Sequence, residues 1–421
     1  MSLTSAGVIQ YITAPVYTQY PFLGSSVTRD NIYAEIVEVA PEGLDNPSIS
    51  NIPDAILGLI ENARTSIDME VYTIYKYTSG PVADIVNAIN RAASRGVRVR
   101  ILIDNEIYTK LATESPSSRA MLDNMDAHEN IELRQSGWLM HSKVVIADNE
   151  AACVSSANMS TSGMTTSRNT GVIVRGETFV RALEAVFEAG WTGNENQPGF
   201  ENGWTVDWIK PVVTQIGSLN WVPQTLDVIL DLVNSASKTI RIPMYVISGS
   251  PSQLTNTVEN AGARGVDVKI MVDRDYSNLS EYPVLLRLDQ SPNTEVKYAG
   301  LSNYGVYHSK TAVADGARAY VGSANWTSTS MTSRREIGVY FEDGTLASAI
   351  ENMFQSDWES RYARWITEPS NPAFAFLTNT AIIFLALLGV FVIFLLKQRK
   401  KHDRARKNWI AELWASSGHE A

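Results

Sequence analysis

The sequence predicts an α/β fold of two tandem lobes related by a pseudo-twofold axis, followed by one C-terminal transmembrane helix. Three observations predict it: an internal duplication, helices that alternate with strands in both halves, and one long uncharged run. The chain has 421 residues, enough for two lobes with large cores. We expect an N-terminal extension, a first lobe, a second lobe, the transmembrane helix and a basic tail at residues 1–50, 51–210, 211–366, 373–396 and 397–421.

The duplication is carried by one motif that occurs twice. Each copy has His, Lys and Asp in the spacing H-x-K-x-x-x-x-D, and a small turn that ends in Asn follows. A constant offset relates the copies across about fifty residues without an insertion, which indicates an internal repeat. The offset is 167 residues, and it relates His141 to His308, Asn158 to Asn325 and Trp191 to Trp358.

The first half alternates helix and strand. Residues 53–63 have apolar residues at helical spacing, and residues 66–72 alternate as a strand does. Residues 81–95 predict a second helix that Gly96 stops, and residues 97–103 predict the next strand. Such alternation is typical of an α/β architecture with helices on both faces of a sheet.

The second half repeats this order. Residues 223–236 and 251–263 predict helices, and residues 239–245 and 266–272 predict strands. Residues 192–220, which contain Gly, Asn and Pro, predict the connection between the halves.

The C-terminal run at residues 373–396 contains no charged residue. As a helix it would be ~36 Å long at ~1.5 Å per residue, enough for a hydrocarbon core of ~30 Å. Basic residues follow it, so the positive-inside rule predicts a single-pass protein with a cytoplasmic tail and an extracytoplasmic catalytic region. A tail-anchored protein that faces the cytosol stays open, because residues 1–30 lack the features of a signal peptide.

Charge and cysteine content exclude some classes. The net charge of −10 argues against a protein that coats nucleic acid by bulk electrostatics, although a local basic groove stays open. The single cysteine, Cys153, excludes an intramolecular disulfide bond, and its apolar neighbours predict a buried core position.

The duplicated residues suit chemistry on a phosphodiester. A His can transfer a proton near neutral pH or act as a nucleophile, and a Lys suits an anion such as phosphate. If the lobes bring both sets to one centre, one His attacks phosphorus while the other protonates the leaving oxygen, through a phosphohistidine intermediate. The candidate catalytic residues are His141, His308, Lys143 and Lys310, and the candidate phosphate-binding residues are Asn158, Asn325, Ser156 and Ser323.

Other site chemistries lack support. Two distant His residues without a Cys cluster or an HExxH motif leave too few ligands for zinc, so we expect no metal and no cofactor. A Ser-His-Asp triad would need a G-x-S-x-G elbow, which does not occur. We interpret Asp148 and Asp315, which end each motif, as structural residues.

These motifs resemble the phospholipase D superfamily, whose signature is H-x-K-x-x-x-x-D followed by G-S-x-N. The resemblance covers roughly residues 50–360 and implies two phospholipase D-like α/β/α lobes with one metal-free active site between them. The turns at residues 155–159 and 322–326 are similar to those of the poxvirus envelope phospholipases and the lysosomal exonuclease-like members.

The resemblance leaves the substrate open. Together with the uncharged C-terminal run, it leads us to expect a membrane-anchored phosphodiesterase that cleaves phospholipids, by hydrolysis or phosphatidyl transfer. One alternative is a nuclease of the same fold that acts on single-stranded nucleic acid. Another is a catalytically weak membrane scaffold, against which the intact His, Lys and Asn residues of both halves count. The headgroup and the oligomeric state stay open.

Two departures from the family pattern bear on the roles. Ser155 stands where the family usually has Gly. The family often places a Glu 28 residues after the His to hydrogen-bond its ring; Glu336 stands there for His308, but Asn169 stands there for His141. We therefore expect Glu336 beside His308, which makes His308 the general acid and His141 the nucleophile.

Overall fold

The computed structural model describes most of the two lobes and part of the C-terminal segment. Both lobes belong to one unit, Met1–Trp365, and Ile366–Ala421 forms a second unit. The described residues are 25–193, 206–214, 222–275, 280–300, 305–367, 380, 383–385, 387–389 and 391–400.

The first lobe is built on a nine-stranded mixed sheet. Its strands are β1 (Ser26–Arg29), β2 (Ile32–Val39), β3 (Ser50–Asn51), β4 (Ser66–Val71), β5 (Arg98–Ile103), β6 (Ile131–Gln135), β7 (Lys143–Ala147), β8 (Ala151–Ser155) and β9 (Asn169–Arg175). The strand order is β1-β2-β9-β8-β7-β4-β5-β6, and β3 pairs with β2. Thus the chain up to residue 51 contributes three strands to this sheet.

Six helices accompany this sheet in the described part of the first lobe. They are α1 (Ile52–Asn62), α2 (Pro81–Ser94), α3 (Asn105–Glu114), α4 (Pro116–Asp126), α5 (Thr161–Thr165) and α6 (Glu177–Thr192). Helix α2 shows how the sequence sets the boundaries: Pro81 occupies the first turn, where no amide partner is needed, and Gly96 has a φ of 89° just beyond the end.

The second lobe repeats the plan with an eight-stranded sheet, in the order β10-β16-β15-β14-β11-β12-β13-β17. Its strands are β10 (Ile209–Thr214), β11 (Thr239–Met244), β12 (Asp267–Asp273), β13 (Thr294–Ala299), β14 (Thr311–Ala314), β15 (Arg318–Gly322), β16 (Glu336–Glu342) and β17 (Ala363–Trp365). The helices described in this lobe are α7 (Thr225–Asn234), α8 (Ser252–Ala263), α9 (Tyr282–Asp289), α10 (Ser328–Thr332) and α11 (Gly344–Glu359).

The lobes share a hydrophobic core. One cluster packs α1 and α2 against the first sheet, through residues such as Ile60, Ile89 and Met69. A second cluster, which includes Phe187 and Phe341, joins α6 and α11 to strands of both sheets. Because this second core belongs to both lobes, it fixes the surface on which the two sequence motifs meet.

The mixed α/β fold with two sheets is confirmed, and the alternating elements lie where the sequence predicts them. The predicted strands at residues 66–72 and 239–245 are β4 and β11, and the predicted helices at residues 81–95 and 251–263 are α2 and α8. Cys153 is buried in β8, and burial raises the pKa of its thiol to about 12.

The expected transmembrane helix is wrong for the part of the chain that the structure describes. Among those residues, no helix is both long enough and apolar enough to cross a bilayer. This overturns the single-pass membrane localisation, with its extracytoplasmic catalytic region, that the uncharged run at residues 373–396 had suggested. Hydropathy alone predicted that helix, and several residues of the run lie outside the described residues.

Candidate active site

The two motifs meet at the boundary between the lobes. Lys143 begins β7, and Lys310 directly precedes β14. Each His comes two residues before its Lys and therefore lies near the N-terminal end of a central strand. Both rings are nearly buried, with 6% exposure for His141 and 7% for His308.

The backbones of the lobes are hydrogen-bonded to one another next to each His. The His141 amide donates to the Arg335 carbonyl of the second lobe at 2.8 Å. In the same way, the His308 amide donates to the Arg168 carbonyl of the first lobe at 2.8 Å. The two crossings obey the same offset of 167 residues as the motifs, so they are copies of one contact.

Each His ring finds its partner in the opposite lobe. His141 Nδ1 lies 3.1 Å from Glu336 Oε2, and His308 Nδ1 lies 3.0 Å from Asn169 Oδ1. The expected pairing of Glu336 with His308 is therefore wrong. The reason is the crossing of the backbones: the residue that follows each crossing arginine is carried against the His of the other lobe.

The hydrogen bonds of Asn169 fix the tautomer of His308. Asn169 Nδ2 donates to the carbonyls of Gly163 at 3.0 Å and Ser167 at 3.3 Å. Asn169 Oδ1 accepts from the Ser156 hydroxyl at 2.8 Å, so it is also the acceptor for His308. His308 therefore carries its proton on Nδ1 when neutral, and Nε2 is the nitrogen left for chemistry.

Glu336 holds His141 in the same tautomer with a charge instead of an amide. Burial would raise the pKa of Glu336, but His141 and then Lys143 lower it below its usual value, so the group is a carboxylate. A carboxylate only accepts hydrogen bonds, so His141 donates from Nδ1 and keeps Nε2 free.

Burial controls the charge state of the motif residues. It lowers the pKa of His141 to about 4, with Lys143 acting in the same direction and Glu336 opposing. Burial and Lys310 hold the pKa of His308 well below its usual value. Burial also lowers the pKa of Lys143 to about 7 and that of Lys310 well below its usual range. An anion in the site would offset these shifts, because it favours the protonated forms.

Two tyrosines that the sequence reading missed stand beside these groups. Tyr72 meets the His141 ring edge-on with centroids 4.9 Å apart, and Tyr245 meets the His308 ring at 4.7 Å. The Lys143 ammonium lies 5.1 Å from the Tyr72 ring, and the Lys310 ammonium lies 4.6 Å from the Tyr245 ring. Each tyrosine directly follows a matching strand, β4 or β11, which is the signal that could have found them.

The amide and hydroxyl groups of the turns differ in availability. Asn158 Oδ1 and Asn325 Oδ1 are buried without a hydrogen-bond partner among the described residues. An amide oxygen only accepts, so Nδ2 is the atom of each amide that could donate to a phosphate. The Ser156 hydroxyl is bonded to Asn169, and the Ser323 hydroxyl accepts from the Ile337 amide at 3.1 Å. Both serines are fully buried, so they support β9 and β16 rather than face the site.

Packing explains why the two turns begin differently. Ser155 ends β8, where Cys153 two residues earlier is small. A Cβ at its counterpart Gly322 would lie 2.5 Å from the hydroxyl of Tyr320, so glycine is required there. Ser155 is not among the non-glycine residues with a positive φ, and its departure from the family pattern therefore carries no backbone strain.

Asp148 and Asp315 each bind a turn instead of the site. Asp148 accepts from the amides of Thr65 at 2.7 Å and Ser66 at 3.0 Å, and Asp315 accepts from Lys238 at 2.7 Å. Burial would raise the pKa of the Asp148 carboxyl, but these amides lower it. Each aspartate ties the end of one helix to the start of a central strand.

The crossing arginines are buried in ion pairs that the sequence reading also missed. Arg335 donates from Nε to Glu70 at 2.7 Å and from a terminal nitrogen to the Val186 carbonyl at 2.6 Å. Arg168 contacts two carboxylates, with Asp357 at 2.8 Å and Glu38 closer still. Both arginines are at most 1% exposed, so these pairs fasten the lobes together beside the site.

No metal site is evident in this region. Within the part of the chain that the structure describes, no group of three or more His, Cys, Asp or Glu side chains is arranged to hold an ion.

Comparison with known proteins decides the family. The family model described as "Cardiolipin synthase, PLD-like domain" matches residues 56–191 and 229–358, which is one segment in each lobe. The chain belongs to the phospholipase D-like family. Members of this family are phosphodiesterases or phosphatidyltransferases.

The curated relatives of this family member span several activities. Phospholipase D Z of Dictyostelium discoideum is 24% identical over 79% of this chain and 90% of its own length. Cardiolipin synthase A of Proteus mirabilis is 27% identical over 73% of this chain and 67% of its own length. The 5'-3' exonuclease PLD3 of Bos taurus is 23% identical over 79% of this chain and 81% of its own length.

A solved structure shares the two-lobed fold. Phosphatidylserine synthase of Haemophilus influenzae Rd KW20 superposes with a TM-score of 0.59 and 13% identity, over 84% of this chain and 94% of its own. At this level of identity the likeness concerns the fold alone.

Proposed function

We propose that this protein cleaves phospholipid phosphodiesters through a phosphohistidine intermediate. One observation carries the proposal: two His rings from opposite lobes are both held at Nδ1, which leaves two Nε2 atoms for one phosphorus centre. In the first step, the lone pair of one Nε2 forms a bond to phosphorus. The bond from phosphorus to the leaving oxygen breaks, and that oxygen takes a proton from the other ring.

We assign the attack to His141 and the proton transfer to His308. A phosphorylated ring that keeps its Nδ1 proton is a cation, and Glu336 stabilises that cation through the 3.1 Å contact. The Asn169 amide offers His308 no charge, so the His308 imidazolium is the stronger acid and gives up its proton more readily. The sequence also predicted these two roles, but on the expectation that Glu336 lies beside His308. In the structure Glu336 lies beside His141, and its charge supports the same roles for a different reason.

Four side chains suit the phosphate oxygens. Lys143 and Lys310 supply positive charge, and Asn158 and Asn325 can each donate a neutral hydrogen bond from Nδ2. In the second step, neutral His308 takes a proton from water or from an alcohol. The resulting oxygen bonds to phosphorus as the His141 bond breaks, which gives hydrolysis or phosphatidyl transfer respectively.

Support for a lipid substrate comes from exposed apolar side chains that precede His141 in the sequence and from the relatives. Leu139 is 38% exposed two residues before His141, and Trp138 is also partly exposed beside it. Such apolar surface suits acyl chains. Two of the relatives named above are a phospholipase D and a cardiolipin synthase.

A nuclease of the same fold is the second candidate, favoured by the exonuclease among the relatives. Incubating the protein with labelled phosphatidylcholine, phosphatidylglycerol and single-stranded DNA decides between them. We expect the wild type to release a headgroup and to leave the DNA at its original length. We expect His141→Ala to lose lipid cleavage. Shortening of DNA without lipid cleavage would establish the nuclease. Inactivity on all three would favour a scaffold.

A further inference from the structure

Besides Asn169 and Glu336, a second pair of equivalent positions at the site differs in charge between the lobes. Residues 167 and 334 are counterparts, since they are separated by the offset of the duplication. In the first lobe this residue is Ser167, which is buried and whose hydroxyl accepts from the Val306 amide at 3.3 Å. In the second lobe it is Arg334, which adds a positive charge that the first lobe lacks at the equivalent position.

Arg334 belongs to the second lobe but lies near the site residues Lys143 and Tyr72 of the first lobe. It follows α10 and directly precedes Arg335, whose carbonyl accepts from the His141 amide. Its charge reaches three groups of the first lobe, and one of them, Glu106, is a carboxylate that is already hydrogen-bonded to Lys110. Burial is the main cause that lowers the pKa of Lys143, and Arg334 adds to that effect. Burial raises the pKa of Tyr72, and Arg334 is the largest influence that opposes it.

The guanidinium of Arg334 makes no hydrogen bond or ion pair with the residues that the structure describes. Its Nε atom is buried and makes no hydrogen bond, while the side chain as a whole is partly exposed. The neighbouring Arg335 is instead saturated by Glu70 and Val186. A buried cationic donor without a hydrogen-bond partner costs free energy, and a bound anion would remove that cost.

We propose that Arg334 binds a second phosphate of the substrate, beside the phosphate that is cleaved. This inference rests on the proposed function and names the lipid class: a phospholipid whose headgroup carries a further phosphate. The cleaved phosphate already has the symmetric lysines and asparagines of both lobes. An unpaired arginine on one side suits an anion that occurs on only one side of that centre, and its planar fork matches phosphate oxygens.

The test compares two short-chain lipids that differ only in the second phosphate, dihexanoyl phosphatidylglycerol and dihexanoyl phosphatidylglycerophosphate. The wild type is expected to prefer the second lipid in kcat/KM. Arg334→Ser installs the residue of the first lobe and should reduce that preference about tenfold to a hundredfold, mostly through KM. Arg334→Lys should keep part of the preference, because it keeps the charge.

The matched control is Arg181→Ser, which removes a highly exposed arginine from the surface of α6 and should leave the preference intact. Thermal unfolding of each variant separates misfolding from a loss of selectivity. Equal loss of kcat/KM on both lipids in Arg334→Ser would overturn the inference, because Arg334 would then act on Lys143 or on the fold. Turnover by the wild type without any preference would overturn it as well, and would leave the proposed function standing.

A parallel pair of probes separates the source of the second phosphate. Thymidine dinucleotides with and without a 5'-phosphate present the same chemistry on a nucleic acid. A preference of the wild type that appears only in this pair, and that Arg334→Ser removes, would overturn the lipid class. Inactivity of the wild type on all four compounds would overturn the proposed function and this inference with it.

Discussion

The two lobes treat their histidines differently although one duplication produced both. Glu336 of the second lobe holds His141 with a carboxylate, whereas Asn169 of the first lobe holds His308 with an amide. Both partners fix the same tautomer, so the geometry of the two rings is conserved between the lobes. The charge is not, and it is charge that separates a nucleophile from a general acid. A symmetric fold thus supports an asymmetric reaction.

The asymmetry is supported by the surroundings of each partner. Asn169 Nδ2 satisfies the carbonyls of Gly163 and Ser167, a task that requires a donor. Glu336 cannot donate, because a carboxylate only accepts hydrogen bonds, and its charge is favoured by His141, Lys143 and Ser323. The two positions are therefore not interchangeable, and the comparison between them can be tested from either side.

The largest expected effect comes from making the two histidines alike. Glu336→Gln gives both rings an amide partner and removes the charge that stabilises a cationic His141. We expect kcat to fall about a hundredfold to ten-thousandfold, by analogy with loss of the aspartate in a Ser-His-Asp triad. Steady-state kinetics on a phosphodiester checks this, with Glu342→Gln at the exposed end of β16 as control. Full activity in Glu336→Gln would show that the charge is not needed.

The next effect concerns the crossing arginines. Arg335→Met removes the arginine that forms an ion pair with one buried carboxylate, Glu70. We expect a loss of about 3–5 kcal/mol in the free energy of unfolding. Arg168→Met leaves two, Glu38 and Asp357, so its loss should be larger. Chemical denaturation of both variants measures the difference. Equal losses would mean that the second carboxylate contributes nothing.

Removing the buried lysines should stabilise the protein. Lys143→Met is expected to raise the free energy of unfolding by about 1–4 kcal/mol at pH 7, at the expense of activity. Lys310 is completely buried, and burial holds its pKa well below its usual range, so Lys310→Met should also raise the free energy of unfolding.

The pH dependence of that gain has a definite sign. The pKa of Lys143 is about 7 in the folded chain against 10.5 ordinarily, so the unfolded chain binds more protons between these values. The wild type therefore gains stability from Lys143 as the pH rises through this window. The advantage of Lys143→Met should shrink from pH 7 to pH 10 in thermal unfolding experiments, and a constant advantage would contradict the depressed pKa.

The smallest expected effect comes from changing the partner of His308, which the first lobe provides. Asn169→Asp gives His308 a carboxylate but removes the donor for two buried carbonyls. We expect a loss of about 1–3 kcal/mol in the free energy of unfolding. Thermal unfolding measures it, with Asn62→Asp on the exposed surface of α1 for comparison. A variant as stable as the wild type would show that the amide of Asn169 is not required.

The sequence predicted the α/β fold with two sheets because helix and strand periodicity can be read along the chain, whereas the roles of the site residues stay predictions. Helical periodicity located α2 and α8, and the constant offset of the duplication paired His141 with His308. It could not predict the partner of each ring, because residue spacing counts along one lobe while the hydrogen bond runs between lobes. The same limit hid the ion pair of Arg335 with Glu70, whose members are far apart in sequence. Hydropathy at residues 373–396 predicted a transmembrane helix that the described residues do not contain.

The central claim is that His141 is the nucleophile and His308 the general acid. A nitrophenyl phosphodiester tests it, because its leaving group departs without protonation. His308→Ala should then release a burst of nitrophenol equal to the enzyme concentration and retain a phosphorylated His141, whereas His141→Ala should release none. A burst from His141→Ala and none from His308→Ala would contradict the assignment.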